Sequence, residues 1–250
     1  GVKAGEVIWE ARQKCPQLTI VEPHMDQYLK FSKIVRSIYL RYSPEVESFG
    51  IDESWIELTG SPLLQQKTPL EIANEIRTTV KEEVGLTVSI GVSFNKIFAK
   101  LGSDMKKPDA VTVITRESFK DQIWPLPVSD LLYVGRATTE KLRLYGIRTI
   151  GDLAQADRAM LIRRLGVNGE KLWVFANGLD QSRVMPCDYE IPIKSVGHGI
   201  TCTADLRTNE EVRHVLHEYL AISGSTGFTL FGTHAKECHK GLVEPKSDRF

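Results

Sequence analysis

The sequence predicts an α+β fold in which a ferredoxin-like unit of strands and helices is followed by a helical region. Strand-forming runs occur at 46–51, 54–58 and 87–92. Between the second and third runs, Thr68-Pro69-Leu70-Glu71 is a capping box that opens a helix, and Gly85 ends this helix. The resulting order of strand, helix and strand is that of a split βαβ unit. In the second half of the chain, short helical stretches with glycine turns and basic residues replace the strands.

The composition is that of an ordinary globular protein. Of the 250 residues, 42% are apolar and 26% are charged, which suits one or two domains with a substantial core. Lysine and arginine total 32, as do aspartate and glutamate, so nucleic-acid binding would depend on local segregation of charge. We expect no membrane association, because the sequence has neither a long apolar run nor a signal-peptide pattern. Four widely spaced cysteines favour a reducing compartment, with the cytoplasm as the expected location: Cys15, Cys187, Cys202 and Cys238.

The N-terminal stretch predicts a loop, a short helix, a strand and a longer helix. The loop covers residues 1–5, and the helix runs from about Val7 to Lys14 and ends before Pro16. Residues 18–21 are an apolar run that predicts a strand. A helix over about 26–41 then has an apolar face. That face consists of Tyr28, Phe31, Val35, Ile38 and Tyr42.

Two adjacent carboxylates, Asp52 and Glu53, interrupt the strand-like stretch 48–58. Because side chains alternate along a strand, both acids can serve one site only if the chain turns there, so we expect a hairpin tip in which Gly50 permits unusual backbone angles. Residues 43–57 contain five carboxylates and no lysine or arginine. A Mg²⁺ ion, held by one or two carboxylates with water and phosphates as further ligands, would relieve this repulsion. The alternative is a solvated acidic hairpin without a ligand.

Lysines follow the third strand. A helix beginning near Phe94 places Lys96 and Lys100 on one face, and Lys107 lies in a loop before a predicted short strand at 110–114. In that loop, the ammonium group of Lys107 can reach a triphosphate as a point charge. The alternative for all three lysines is a solubilising role at the surface.

The centre of the chain is basic. Between Arg136 and Lys171 there are eight basic and four acidic residues. Two segments, 132–142 and 161–172, each predict a helix, a glycine-containing turn and a second helix, although Tyr133 occupies the usual place of the first hairpin glycine. Turns that open onto helix N-termini offer N–H groups to phosphates, which favours helix-hairpin-helix binding of a DNA backbone over a purely structural helical subdomain. The candidate DNA-binding residues are Gly135, Arg136, Lys141, Arg163, Arg164, Gly166 and Gly169.

The C-terminal part predicts an incomplete further unit. Residues 186–192 are typical of a linker, and a strand at 195–203 and a helix at 209–220 would follow it. Beyond Leu220 the sequence has no clear periodicity. Three residues of this tail can bind metals in principle, but such sparse ligands more often bind none: His234, Cys238 and His239.

The sequence resembles the Y-family translesion DNA polymerases of the DinB branch. Residues 48–58 resemble the palm motif of that family, usually written S-I-D-E-x-x-x-D, with Gly50 in place of its serine and Glu57 in place of its last acid. Residues 89–108 resemble a second long motif, in which Lys107 matches the lysine that contacts the incoming triphosphate. The two helix-turn-helix segments resemble the thumb, and 194–199 resembles the entry to the little finger.

This resemblance implies four regions and a reaction. The regions are partial fingers at 1–22, a palm at 23–117, a helix-hairpin-helix thumb at 118–188 and a partial little finger with an atypical tail at 189–250. The implied reaction is template-directed attack of a primer 3′-hydroxyl on a dNTP, with two Mg²⁺ ions held by Asp52, Glu53 and other groups of the complete family site. The implied partners are primer–template DNA and dNTP, and a monomer is expected.

The sequence also departs from the family pattern. The family begins with a strand that carries a further metal-binding aspartate, followed by a steric-gate aromatic residue and finger residues, whereas this chain starts after them. The tail beyond Leu220 is unlike a little finger, and we see no clamp-binding motif. A truncated or frameshifted reading frame would explain both ends, and we then expect weak or absent polymerase activity. The alternative is a non-catalytic DNA-binding relative that acts as a scaffold in a repair assembly.

Overall fold

The computed structural model describes residues 1–189, Cys202 and residues 204–223. The chain divides into two units, Gly1–Tyr189 and Glu190–Phe250. In the second unit, helix α10 spans Asn209–Ser223, which confirms the predicted helix. Its first turn is capped by Thr208, whose hydroxyl accepts a hydrogen bond from the Glu211 amide. The predicted strand at 195–203, apart from Cys202, and the three candidate metal ligands of the tail lie outside the described residues.

The first unit begins with helices α1 (Ile8–Lys14) and α2 (Met25–Tyr39). The predicted strand at 18–21 is wrong, because these residues pair with no other strand and Val21 is exposed. The apolar face predicted for α2 is confirmed only in its second half. Ile38 is buried against helix α3 (Pro69–Val84), whereas Tyr28 and Phe31 are exposed.

The acidic segment forms an antiparallel hairpin of β1 (Val46–Ser48) and β2 (Ser54–Ile56). In its register Glu47 lies opposite Trp55. The Phe49 amide donates a 2.9 Å hydrogen bond to the carbonyl of Glu53, which closes the turn. Both strands are shorter than predicted, because residues 49–51 belong to the turn and β2 ends at Ile56.

Helix α3 follows the capping-box prediction. The Thr68 hydroxyl accepts from the Glu71 amide, the Glu71 carboxylate accepts from the Thr68 amide, and Gly85 ends the helix in the left-handed conformation at φ 75°. One face of α3 packs with Ile38 in a small core. The buried residues of this face are Ile72, Ala73, Ile76 and Val80.

A parallel strand pair lies under one helix. Strands β3 (Ile90–Ser93) and β4 (Val111–Ile114) are connected by helix α4 (Lys96–Met105), which packs on both. A Cβ atom on Gly91 would lie 1.9 Å from the carbonyl oxygen of Ala99, so only glycine permits this approach of strand and helix.

The strands do not form the single sheet that the split βαβ prediction requires. In the described residues β1 pairs with β2, and β3 pairs with β4, in two separate sheets. The hairpin instead rests on α4, where the side chain of Lys96 forms an ion pair with Glu47. The mixed arrangement of helices and strands is confirmed, and the one-sheet topology is not.

The remainder of the first unit is helical, as predicted. Its helices are α5 (Phe119–Ile123), α6 (Arg136–Arg143), α7 (Ile150–Gln155), α8 (Arg158–Leu165) and α9 (Val167–Ala176). They enclose a core that continues into α4 through Phe98. The second helix-turn-helix segment is confirmed as α8 and α9. In the first segment no α-helix precedes the turn, and a short 3-10 helix, Val128–Asp130, stands there instead.

Candidate active site and nucleic-acid interface

The hairpin turn brings Asp52 and Glu53 to one end of β1 and β2. Gly50 has φ 83°, the left-handed conformation that allows the chain to reverse before the two acids. Asp52 is exposed and makes no hydrogen bond or ion pair with any described residue. Glu53 is half-buried, and its Oε1 lies 3.1 Å from the Nζ of Lys100. The predicted turn is therefore present, but one of its carboxylates already has a cationic partner.

Lys100 also connects this turn to Lys107. The Nζ of Lys100 lies 2.5 Å from Oδ2 of Asp104, and the Nζ of Lys107 lies 2.7 Å from Oδ1 of Asp104. Burial alone would lower the pKa of Lys100, but hydrogen bonds to Asp104 and Glu53 outweigh burial and raise this pKa. Burial likewise favours a higher pKa for Asp104, and hydrogen bonds from Lys100 and Lys107 lower it. Both shifts favour the charged forms of Lys100 and Asp104 near neutral pH.

A second ion pair holds the hairpin on α4. The Nζ of Lys96 donates to both carboxylate oxygens of Glu47, at 2.7 and 2.6 Å, and lies 4.4 Å from the ring centroid of Trp55. The Trp55 Nε1 donates a 2.9 Å hydrogen bond to the carbonyl of Lys96. Lys96 and Lys100 thus both face the acidic hairpin, and a purely solubilising role is wrong for them. In the sequence, the spacing of four residues indicated that the two lysines share one helix face. It did not show which acids they contact.

The same pair also binds the segment that follows α9. The Met185 amide donates 2.8 Å to Glu47 Oε2, and the Lys96 ammonium donates 3.2 Å to the carbonyl of Arg183. These bonds join residues more than 80 positions apart in the chain. The Glu47 carboxylate is therefore occupied by these structural contacts and is not available to a metal cation.

The available donors fit part of a Mg²⁺ site. Exposed carboxylate oxygens are the hard ligands that Mg²⁺ prefers, and Mg²⁺ commonly uses one or two of them while keeping water and phosphate oxygens. The exposed Asp52 meets this description, and the half-buried Glu53 offers its second carboxylate oxygen beside the contact with Lys100. Glu57 instead accepts a 2.8 Å hydrogen bond from the Thr59 amide. Within the described ranges, no three His, Cys, Asp or Glu side chains cluster as a metal site.

Two side chains of helix α3 hold the loop that follows Lys107 in place. Asp109 has φ 54°, which is uncommon for a residue other than glycine. Its carboxylate accepts from Arg77 at 2.6 Å and from Lys81 at 2.7 Å. Hydrogen bonds from Lys81 and then Arg77 hold the pKa of Asp109 below its usual range. The backbone beside Lys107 is thereby held against α3, a support that sequence analysis missed because these cations lie some 30 positions away.

The first helix-hairpin-helix turn presents an exposed basic helix end. Tyr133 has φ 69° and thus adopts the left-handed conformation that a glycine would usually supply. Gly135 precedes the first turn of α6, and nothing lies within 4 Å of a Cβ placed on it. The Arg136 side chain is 93% exposed, although its Nε is 3.1 Å from Glu140. Lys141 is also exposed, so this surface can accept a phosphate backbone.

The residues predicted to bind DNA at the second turn have two different roles in the structure. Gly166 has φ 63° and is exposed between α8 and α9. A Cβ on Gly169 would lie 2.3 Å from the carbonyl oxygen of Leu161, so the buried Gly169 serves the packing of α8 on α9. Arg163 and Arg164 are exposed in the last turn of α8. Their charges, with the Gly166 turn, form a second candidate phosphate-binding surface.

Residues 1–104 match the profile of the impB/mucB/samB family. DNA polymerase IV of Acetivibrio thermocellus is 54% identical over 216 residues, which cover 86% of this chain and 54% of that protein. DNA polymerase IV 1 of Bacillus subtilis is 38% identical over 221 residues, covering 88% of this chain and 53% of that protein. The chain spans about half the length of the curated relatives it matches.

Solved structures agree with these sequence matches. DinB from Sulfolobus solfataricus has a TM-score of 0.66 and 26% identity, over 74% of this chain and 54% of that one. An insertion ternary complex of Dbh DNA polymerase has a TM-score of 0.67 and 25% identity, over the same shares of the two chains. Residues 1–104 are thus similar to the impB/mucB/samB family, and the fold is similar to that of Y-family DNA polymerases. Over most of its length the chain is similar to DNA polymerase IV of the DinB branch.

None of the helices in the described part of the chain is long and apolar enough to cross a membrane.

Proposed function

We propose that the chain forms part of a translesion DNA polymerase that carries out template-directed nucleotidyl transfer. The observation that carries this proposal is the placement of the Asp52–Glu53 turn beside α4, the helix that leads to Lys107. In this assignment residues 1–22 belong to the fingers, 23–117 to the palm, 118–188 to the thumb and 189–250 to the little finger.

The proposed chemistry is attack of a primer 3′-hydroxyl on the α-phosphate of a dNTP, with pyrophosphate as the leaving group. Bound Mg²⁺, two ions in the complete family site, supplies charge stabilisation at the attacking and leaving oxygens. Asp52 and Glu53 would hold the cations through their carboxylate oxygens. Lys107 would neutralise charge on the triphosphate, for which its 57% exposed side chain has freedom to move.

The thumb would bind primer–template DNA through the phosphate backbone. Arg136 and Lys141 lie at the first turn, and Arg163 and Arg164 lie before the second. The backbone N–H of Gly135 would add a neutral donor to these charges, whereas the Gly166 N–H already donates to the carbonyl of Ile162 at 2.8 Å. Such contacts carry no base information, so binding would tolerate any sequence.

A non-catalytic DNA-binding role is the second candidate. It is favoured by the small number of acids at the turn, since only Asp52 and Glu53 of the described residues remain suitable as cation ligands there. In this case the thumb would bind DNA while the hairpin contributes nothing to chemistry.

Primer extension separates the two candidates. Because the chain spans half of its relatives, extension is best measured on a chimera that carries the remaining segments of the Acetivibrio thermocellus relative. We expect Mg²⁺-dependent extension that Glu53→Ala abolishes while affinity for primed DNA stays within about twofold. DNA binding without extension by the parent chimera would instead support the scaffold role. A matched control, Glu83→Ala on the exposed face of α3, should leave both properties unchanged.

A further inference from the structure

Four charged side chains form a line of alternating sign that runs from the hairpin turn, along the second half of α4, to the loop after this helix. In order, they are Glu53, Lys100, Asp104 and Lys107, joined by contacts of 3.1, 2.5 and 2.7 Å. Asp104 uses a different oxygen for each lysine, Oδ2 for Lys100 and Oδ1 for Lys107. The two lysines therefore share one carboxylate, and the strength of one contact depends on the other.

We propose that Lys100 and Asp104 are positioning residues that couple cation binding at Glu53 to polyphosphate binding at Lys107. This inference rests on the proposed function, which assigns those ligands to the two ends of the line. A divalent cation that takes the Glu53 carboxylate removes one of the two partners of Lys100. Lys100 then attracts Asp104 more strongly, Asp104 holds Lys107 less, and Lys107 becomes available to a phosphate.

Differences in burial give the coupling its direction. The Lys100 side chain is 15% exposed and lies between two carboxylates, so it cannot turn to solvent without leaving both. The Lys107 side chain is 57% exposed and sits in a loop, so it can leave Asp104 without moving the helix. Lys107 is thus the member of the line that is released.

The expected size of the coupling between cation and triphosphate binding follows from the kind of ion pair involved. Ion pairs of partly exposed side chains are worth up to about 1 kcal/mol, which corresponds to a change of about twofold to fivefold in affinity. By linkage, the triphosphate must strengthen cation binding at Glu53 by the same factor.

A double-mutant cycle tests the coupling without a metal present. The 250-residue chain is titrated with inorganic triphosphate in EDTA by calorimetry, in the parent, Glu53→Gln, Lys100→Met and the double variant. We expect Glu53→Gln to tighten binding about twofold to fivefold in the parent and to have no effect when Lys100 is Met. An equal effect of Glu53→Gln in both backgrounds would show simple charge repulsion and overturn the coupling.

Two further variants complete the design. Asp104→Asn releases Lys107 directly, so it should tighten triphosphate binding by a similar factor and leave Glu53→Gln without further effect. Lys106→Met removes an exposed charge next to Lys107 and should leave the Glu53→Gln effect intact. Thermal melts establish that each variant is folded.

Failure of the proposed function gives a different result. If the parent binds no triphosphate, or if Lys107→Met leaves the affinity for triphosphate unchanged, Lys107 does not bind triphosphate. The proposed coupling is then also overturned. If the parent binds through Lys107 and the cycle is additive, the coupling alone is overturned.

Discussion

The Lys96 ammonium group lies 2.6 Å from a carboxylate oxygen of Glu47 and joins three parts of the first unit. Lys96 belongs to α4, Glu47 belongs to the acidic hairpin, and both bind the backbone of residues 183–185. Only 12% of the Lys96 side chain and 23% of the Glu47 side chain are exposed. The pair therefore fixes the hairpin that carries Asp52 and Glu53.

Glu47→Gln should destabilise the first unit by about 1–3 kcal/mol, because the partly buried Lys96 and the Met185 amide lose a charged acceptor. Urea denaturation followed by circular dichroism measures this change. Glu83→Gln is the matched control, since it removes the acceptor of the exposed Arg41 ion pair, and solvent-screened pairs contribute little to stability. Equal losses of unfolding free energy in the two variants would contradict a greater structural role for Glu47 than for Glu83.

Gly91→Ala should destabilise the chain by about 1–3 kcal/mol or more, because the new methyl group would overlap the Ala99 carbonyl and push α4 away from β3. Gly135→Ala is the control, since Gly135 has φ −82° and open space around its Cβ position. Its effect should stay within about 0.5 kcal/mol. The same denaturation measurement applies, and a fully stable Gly91→Ala variant would show that strand and helix separate easily.

Local signals predicted the elements better than their assembly. The capping box at Thr68, the turn at Gly50 and the helices on either side of Gly166 depend on neighbouring residues, and the structure has all three. The strand predicted at 18–21 failed because an apolar run needs a partner strand, which sequence alone does not supply. The separate sheets and the partners of Lys100 also depend on contacts between distant residues.

Asp109→Asn should lower stability at neutral pH, and the difference from the parent should disappear in acid. The pKa of Asp109 is depressed in the folded chain by Lys81 and Arg77, so its contribution is complete above the unfolded pKa of about 3.9. It is lost as the pH falls through the lower folded value. Asparagine also tolerates the positive φ of this position, so the backbone conformation is kept.

Melting temperatures of the parent and Asp109→Asn between pH 7 and pH 2 measure this effect. Asp121→Asn on α5 is the control, because its carboxylate forms no ion pair with the described residues. A constant offset between the parent and Asp109→Asn across the whole pH range would contradict the linkage.

Asp52→Asn should raise the melting temperature without metal and reduce the increase caused by Mg²⁺ or Mn²⁺. The two acids repel each other at one turn, and Asp52 has no described cationic partner, whereas Glu53 has Lys100. Thermal melts with and without 10 mM Mn²⁺, a working concentration of about the usual order for weak carboxylate sites, give both quantities. If the parent shows no response to Mg²⁺ or Mn²⁺, the solvated-hairpin interpretation is correct.

Arg136→Ala combined with Arg163→Ala should weaken DNA binding and make it less sensitive to salt. Each lost phosphate contact reduces the slope of log affinity against log salt by about 0.9 on duplex DNA, so the double variant should lose about 1.8. The loss should be the same for DNA duplexes of unrelated sequence, because backbone contacts do not read bases. Arg12→Ala on α1 removes an exposed arginine outside both turns and should leave the slope unchanged. Fluorescence anisotropy titrations at several salt concentrations measure these slopes.

An unchanged slope in the double variant would show that neither turn belongs to the DNA-binding surface. A loss of affinity confined to one DNA sequence would show base recognition instead of the proposed contact with phosphates.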